Sequence, residues 1–202
     1  MRRAADAPGR DDIAGLVLAG GRGTRLGGED KGLVCLGRRP LVSHVLERLT
    51  PQVSEMMVSA NRNRERYELL CPHVLHDAGT DFPGPLAGVL SGLRAARKPW
   101  VAVVPCDTPF LPSDLVSRLA GGVRNSAPVV AASTSGPEPI FALVPSRLAE
   151  PLAVWLANGG RRVWDFYASS DSTTVHFDDA SGFFNVNTLD ALAAARSQLT
   201  DL

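Results

Sequence analysis

A single-domain, three-layer α/β fold with a predominantly parallel central sheet is what this sequence predicts, and three observations carry the prediction. Short continuous apolar runs at residues 13–19 and 100–106 have the pattern of strands buried on both faces. Between and after them lie segments with apolar residues at helical spacing, so strand and helix alternate, which implies right-handed βαβ crossovers. The chain has 202 residues and is 45% hydrophobic, enough to bury a sizeable core in one domain.

Residues 1–12 contain Arg2 and Arg3 without a following apolar run, so they are expected to be a flexible leader to a domain at 13–202. The first strand, 13–19, ends in glycines. Residues 40–49 carry apolar side chains at helical spacing, with Pro40 at the start and Pro51 just beyond the end. A second strand at 55–60, a charged exposed helix at 62–70, a short strand at 73–76, a helix at 85–97 and the buried strand at 100–106 continue the alternation. The second half is less regular. It predicts helices at 114–119, 147–157, 161–168 and 188–199, and strands at 128–132, 140–144 and 173–177. Segments 121–127 and 133–138 are rich in small and turn-forming residues and are expected to be flexible.

Composition excludes several classes of function. Lys plus Arg (21) balances Asp plus Glu (21), so no global field points to nucleic acid or to an anionic membrane. No apolar run approaches the length of a membrane span. Cys35, Cys71 and Cys106 are odd in number, lack a CxxC spacing and sit among apolar residues, which suits three free thiols in a cytoplasmic protein.

The most informative stretch is Leu18-Ala19-Gly20-Gly21-Arg22-Gly23-Thr24-Arg25-Leu26-Gly27-Gly28-Glu29-Asp30-Lys31, which places five glycines and three cations directly after the first strand. Glycine lets backbone N–H groups approach an anion closely, and Arg22, Arg25 and Lys31 supply charge to neutralise a polyphosphate. An ordinary glycine-rich turn and a solvated surface lysine are the plain alternatives. The stretch is not a P-loop, because Gly32 follows Lys31. It is not a dinucleotide fingerprint either, because Leu26 stands where glycine is needed.

In an open α/β sheet, ligands bind beyond the carboxyl ends of the strands, which directs attention to Ser59 and Asn61, to Asp77 and to Asp107. Asp107, after the buried run 100–106, has the placement of a Mg²⁺ ligand that shares the metal with phosphate oxygens; the alternative is a turn or N-cap residue before Pro109. Asp77 suits a ribose or the N1–H and amino group of guanine, while Asp81 suits capping of the following turn. His73 and His76 fall on opposite faces of a strand, which argues against a metal site. Arg161 and Arg162 follow a glycine pair. Asn185 and Asn187 alternate in Phe184-Asn-Val-Asn-Thr188, which would put both amides on one face; bonding to neighbouring backbone is the alternative.

The loop resembles the signature of nucleotidyltransferases with a Rossmann-like fold, and its Asp30-Lys31 ending resembles the molybdenum cofactor guanylyltransferases. Further motifs extend the resemblance over residues 13–194: Ala60-Asn61-Arg62, Pro83-Gly84-Pro85-Leu86-Ala87-Gly88, Pro105-Cys106-Asp107, Arg161-Arg162-Val163 and Phe184-Asn185-Val186-Asn187-Thr188. The resemblance implies transfer of GMP from GTP to molybdenum-molybdopterin with release of pyrophosphate. It implies Leu18, Ala19, Gly20, Gly21, Lys31, Ser59, Asn61, Asp77 and Asp107 as GTP-binding residues, with Arg25, Lys31 and Asp107 catalytic and Mg²⁺ on Asp107. It sets Arg161, Arg162, Asn185 and Asn187 toward the molybdopterin. Molybdenum-insertion proteins and recipient molybdoenzymes or their chaperones are the implied partners. Ser59 stands where such proteins often have Asn, and Gly136-Pro-Glu-Pro139 where they often have His-Pro. Sugar-phosphate nucleotidyltransferases, cytidylyltransferases for the same cofactor, and a non-catalytic carrier of nucleotide or cofactor are the competing readings.

Overall fold

Alternation of buried strand and amphipathic helix produces the expected α/β architecture. The computed structural model describes residues 7–19, 29–76 and 84–200. In chain order its elements are β1 (Ile13–Leu18), β2 (Cys35–Leu36), β3 (Arg39–Pro40), α1 (Leu41–Leu49), β4 (Glu55–Ser59), α2 (Arg64–Glu68), β5 (Val74–Leu75), α3 (Pro85–Ala95) and β6 (Trp100–Pro105). Then follow α4 (Leu115–Gly121), β7 (Val129–Ser133), β8 (Gly136–Pro145), α5 (Ala149–Ala157), α6 (Val163–Ser169), β9 (Thr173–His176) and α7 (Leu189–Thr200).

Seven strands form one sheet in the order β5-β4-β1-β6-β8-β7-β9. β5, β4, β1 and β6 pair in parallel, β8 runs antiparallel to both β6 and β7, and β9 is parallel to β7, so β8 alone opposes the rest. From β1 the chain first builds outward through β4 and β5. It then crosses back to lay β6 on the other side of β1. That reversal opens a crevice beyond the carboxyl ends of β1 and β6, where an α/β sheet of this kind binds its ligand.

The central strands β1, β6 and β7 are buried on both faces because helices cover both. Val17, Val58 and Val104 pack with Val42, Val45 and Leu49 of α1 and Leu115 and Leu119 of α4. On the other face Leu16, Val101 and Val103 meet Leu86, Val89 and Leu93 of α3, together with Leu152 of α5 and Phe166 of α6. A smaller core joins Leu192 and Ala195 of α7 to Leu36, Leu41 and Val186.

Several expectations are corrected. Residues 7–12, read as part of a flexible leader, include a 3₁₀ turn at Arg10–Asp12, and Arg10 Nε donates to the Pro51 carbonyl at 3.0 Å. The helix expected at 62–70 shrinks to α2, because Asn63 takes a left-handed backbone (φ 51°), and its one buried side chain is Tyr67. Segment 133–138, expected to be flexible, is the end of β7, a tight turn at 134–135 and the start of β8. There Ser135 N donates to Ser133 Oγ at 3.1 Å, Ser133 Oγ donates to Glu138 at 2.9 Å, and Gly136 supplies a φ of 116°. The β2–β3 hairpin, turning through Gly37 at φ 65°, carried no sequence signal of its own.

Gly92 sets how closely α3 approaches the sheet: a Cβ there would stand 2.3 Å from Leu16 Cδ2. We expect Gly92→Val to destabilise the fold by about 1–3 kcal/mol through overpacking. A denaturant midpoint equal to that of the parent would show instead that the two layers can part without cost.

Candidate active site

The parallel ladder does not stop where the strands formally end. Ala19 N donates to the Ser59 carbonyl at 2.8 Å, Ala60 N to the Leu75 carbonyl at 3.0 Å and Cys106 N to the Leu18 carbonyl at 3.1 Å. These bonds hold the residues after β5, β4, β1 and β6 side by side. Leu18, Ala19, Ser59, Asn61 and Asp107 therefore share one rim of the sheet, and Ser59 is buried there while Asn61 is exposed. Gly20, Gly21, Arg22, Arg25, Asp77 and Asp81 lie outside the described residues.

Two charged side chains meet on this rim. Lys31, in the 3₁₀ turn Lys31–Leu33, donates from Nζ to Asp107 Oδ2 at 2.6 Å. The pair is shielded unequally, the side chains being 24% and 7% exposed, so the lysine is the partner that solvent or a ligand reaches. Lys31 Nζ also donates to Asn187 Oδ1.

Asn187 arrives by a separate route. Val186 N donates to the Asp107 carbonyl at 2.9 Å, while the Val186 side chain is fully buried under α7. Thr188 Oγ1 accepts a hydrogen bond from Ala191 N at 3.1 Å and so caps α7. Neighbouring backbone thus anchors the segment on both sides of Asn187 and leaves its amide to reach Lys31. Sequence reasoning grouped Asn187 with Asn185, Arg161 and Arg162; the structure instead gathers it with Lys31 and Asp107. The segment is also not a strand. Asn185 Nδ2 donates to the Phe183 carbonyl at 3.4 Å, the local backbone contact weighed as its alternative role. Arg161, between α5 and α6, donates to the Leu156 and Gly160 carbonyls at 2.9 and 2.7 Å and so fastens the end of α5, while Arg162 is exposed at the entry to α6.

Under Lys31 lies Asp30, which the sequence marks as part of the Asp30-Lys31 ending but whose partners Tyr67 and Asn63 it does not single out. Asp30 is 7% exposed, and its carboxylate accepts from Tyr67 Oη at 2.6 Å and from Asn63 Nδ2 at 2.9 Å. Burial, followed by the neighbouring Cys106 and Asp30, pushes the Tyr67 phenol above its ordinary range and keeps it a neutral donor. Tyr67 was the lone aromatic in a charged segment, and that was its only signal. Cys106 is buried against the same group. Its thiol is pushed up first by burial and then by Asp107, with Lys31 acting in the opposite sense.

The donors present suit a divalent cation shared with a substrate. Asp107 offers a hard carboxylate whose Oδ1 has no hydrogen-bond partner among the described residues, and Oδ2 is shared with a lysine. Among those residues no group of three or more His, Cys, Asp or Glu is placed to hold a metal. No helix among them is long and apolar enough to cross a membrane.

Comparison with known proteins bears on this site. The MobA-like NTP transferase domain family matches residues 15–173. The chain is 49% identical over 199 residues to a molybdenum cofactor guanylyltransferase of Burkholderia cenocepacia, covering 93% of this chain and 97% of the relative. It is 46% identical over 192 residues to a molybdenum cofactor guanylyltransferase of Cupriavidus taiwanensis, covering 92% and 96%. The fold is that of molybdopterin-guanine dinucleotide biosynthesis protein A from Archaeoglobus fulgidus, with a TM-score of 0.78 at 23% identity over 94% of this chain and 100% of that one. A 4-diphosphocytidyl-2C-methyl-D-erythritol synthase from Anaerococcus prevotii shares the fold as well, with a TM-score of 0.74 at 14% identity, covering 94% and 99%.

The three thiols differ in access: Cys35 is exposed, whereas Cys71 and Cys106 are buried. A thiol-specific reagent is expected to modify Cys35 promptly in the native protein and the other two only on unfolding, since the thiolate is the reactive form. Rapid native-state labelling of Cys106 would show that the rim opens.

Proposed function

The chain belongs to the MobA-like NTP transferase domain family and is a nucleotidyltransferase, and from this premise we propose that it joins GMP from GTP to molybdenum-molybdopterin. A terminal phosphate oxygen of the cofactor attacks the α-phosphorus of GTP. The new P–O bond forms as the bond to the β-phosphate oxygen breaks, and pyrophosphate leaves. The single observation that carries this reading is the Lys31–Asp107 contact at the carboxyl ends of β1 and β6.

The attacking phosphate is already ionised, so the reaction asks for positioning and charge neutralisation rather than for a general base. Lys31 is the cation for the charge that moves toward the departing pyrophosphate, and Arg25 is assigned the same task. Asp107 would hold Mg²⁺, which when bound would supply positive charge to neutralise the phosphates. The loop N–H groups of Leu18, Ala19, Gly20 and Gly21 bind phosphate. Ser59, Asn61 and Asp77 bind the nucleoside, with either Ser59 or Asn61 taking the place of the amide that relatives of this family often carry at position 59. Asn187 steadies Lys31 on the nucleotide side, which leaves Arg161, Arg162 and Asn185 for the molybdopterin. The protein acts in the cytoplasm and delivers its product to molybdoenzymes or their chaperones.

Incubation with each common ribonucleoside triphosphate, Mg²⁺ and molybdenum cofactor, with pyrophosphate release as readout, tests the proposal. We expect GTP to be the preferred donor. Preference for CTP would overturn the guanylyl assignment, and absence of turnover with every nucleotide would favour a carrier. Asp107→Asn keeps the size of the side chain but removes its charge, and a fall in turnover of about 100-fold is expected from loss of a central electrostatic group. Near-parental turnover in the folded variant would return Asp107 to a capping role.

A further inference from the structure

We propose that Tyr67 and Asn63 are positioning residues for Lys31, acting through the buried carboxylate of Asp30. The proposal rests on the reading of Lys31 given above. Asp30 directly precedes Lys31 in the chain and has little access to water. A carboxylate in that setting must have its oxygens satisfied, and here both are taken by neutral donors: Oδ1 by Tyr67 Oη and Oδ2 by Asn63 Nδ2. Asn63, the N-cap of α2, and Tyr67 within the helix lie four residues apart, and both reach the same carboxylate. Asn63 stands at the N-cap position, yet its side chain makes no capping bond and is spent on Asp30 instead.

The clamp also reaches the residue after Lys31. A Cβ on Gly32 would stand 2.5 Å from Tyr67 Oη and 3.3 Å from Cys106 Sγ, so the phenol oxygen fills the space beside a bare glycine. Leu33 N donates to the Asp30 carbonyl at 2.9 Å and Val34 N to the Lys31 carbonyl at 3.3 Å, which closes the turn. The backbone of Lys31 is therefore held on both sides, by the Asp30 side chain before it and by contact at Gly32 after it. Lysine has a long, freely rotating stem, and what α2 contributes is a fixed origin from which Nζ reaches Asp107 and Asn187.

A purely structural role would attach α2 to the sheet without regard to Lys31, and a double-mutant cycle separates the two roles. Tyr67→Phe removes the hydroxyl and keeps the ring. Turnover number, KM for GTP and the thermal midpoint are measured for Tyr67→Phe, for Lys31→Ala and for the double variant, all with Mg²⁺ and molybdenum cofactor. We expect folded Tyr67→Phe to lose about tenfold in turnover, on the scale of a small misplacement of a reacting group, while KM for GTP stays within about twofold. In the Lys31→Ala background the same replacement is expected to leave turnover unchanged.

Equal losses in both backgrounds, or no loss from folded Tyr67→Phe beside an impaired Lys31→Ala, would overturn the positioning role and leave the reading of Lys31 intact. Full turnover of Lys31→Ala would refute that reading, and the positioning role with it. If Tyr67→Phe does not fold, Asn63→Gly decides the matter. It tolerates the left-handed backbone, removes only the second donor, and is expected to lower turnover about threefold in the parent and not at all beside Lys31→Ala. Parental turnover of Asn63→Gly, or the same loss in both backgrounds, would then overturn the proposal.

Discussion

β1 and β6 run parallel with Leu18 opposite Pro105, and the register continues one bond further, from Cys106 N to the Leu18 carbonyl. Parallel pairing sends both chains out of the sheet at the same edge, and the crossover that puts β6 beside β1 leaves a gap between their exits. The turn beginning at Lys31 and the carboxylate of Asp107 face each other across that gap. A slip of one residue in this register would turn the side chains of β6 to the opposite faces of the sheet and displace the segment that carries Asp107 out of it. The site depends on that pairing more than on any contact within the site itself.

The pair formed there is not a device for stability. Its carboxylate is buried and its lysine partly exposed, and removing charges from water costs about as much as their attraction returns. What the arrangement supplies is preorganisation: a cation and an anion already stand in place beside the crevice, so the reaction proposed for them would need little reorganisation. Asn187, whose neighbours are tied to the Asp107 carbonyl and to α7, gives Lys31 a second acceptor. The small core under α7 therefore bears on the site through Val186, whose N–H is bonded to the Asp107 carbonyl.

Asp30 and Lys31 are consecutive, yet one faces inward to Tyr67 and Asn63 and the other outward to the crevice. This division lets a short turn be both anchored and chemically available. Gly32 makes it possible, since a larger side chain there would meet the tyrosine oxygen. Two neutral donors satisfy the buried carboxylate of Asp30 without drawing Lys31 away from Asp107, whereas a cationic partner beneath the turn would compete with the lysine for the same acceptors.

Much of this was legible in the residues themselves. The apolar runs that became β1 and β6, the helical spacing of α1 and α3, and the placement of Lys31 and Asp107 all express local rules, namely burial on both strand faces, periodicity and turn chemistry, so sequence alone determined them. The reversed direction of β8, the shortening of α2 at Asn63 and the ordering of the turn at Ser133 were not legible, because each follows from a pairing partner or a backbone angle that periodicity does not encode. The same holds within the site. Sequence determined which residues could carry charge to a phosphate. Only the tertiary structure decided that Asn187 joins Lys31 and that Tyr67 holds Asp30, since these contacts span 156 and 37 residues and arise from packing between elements that share no local pattern.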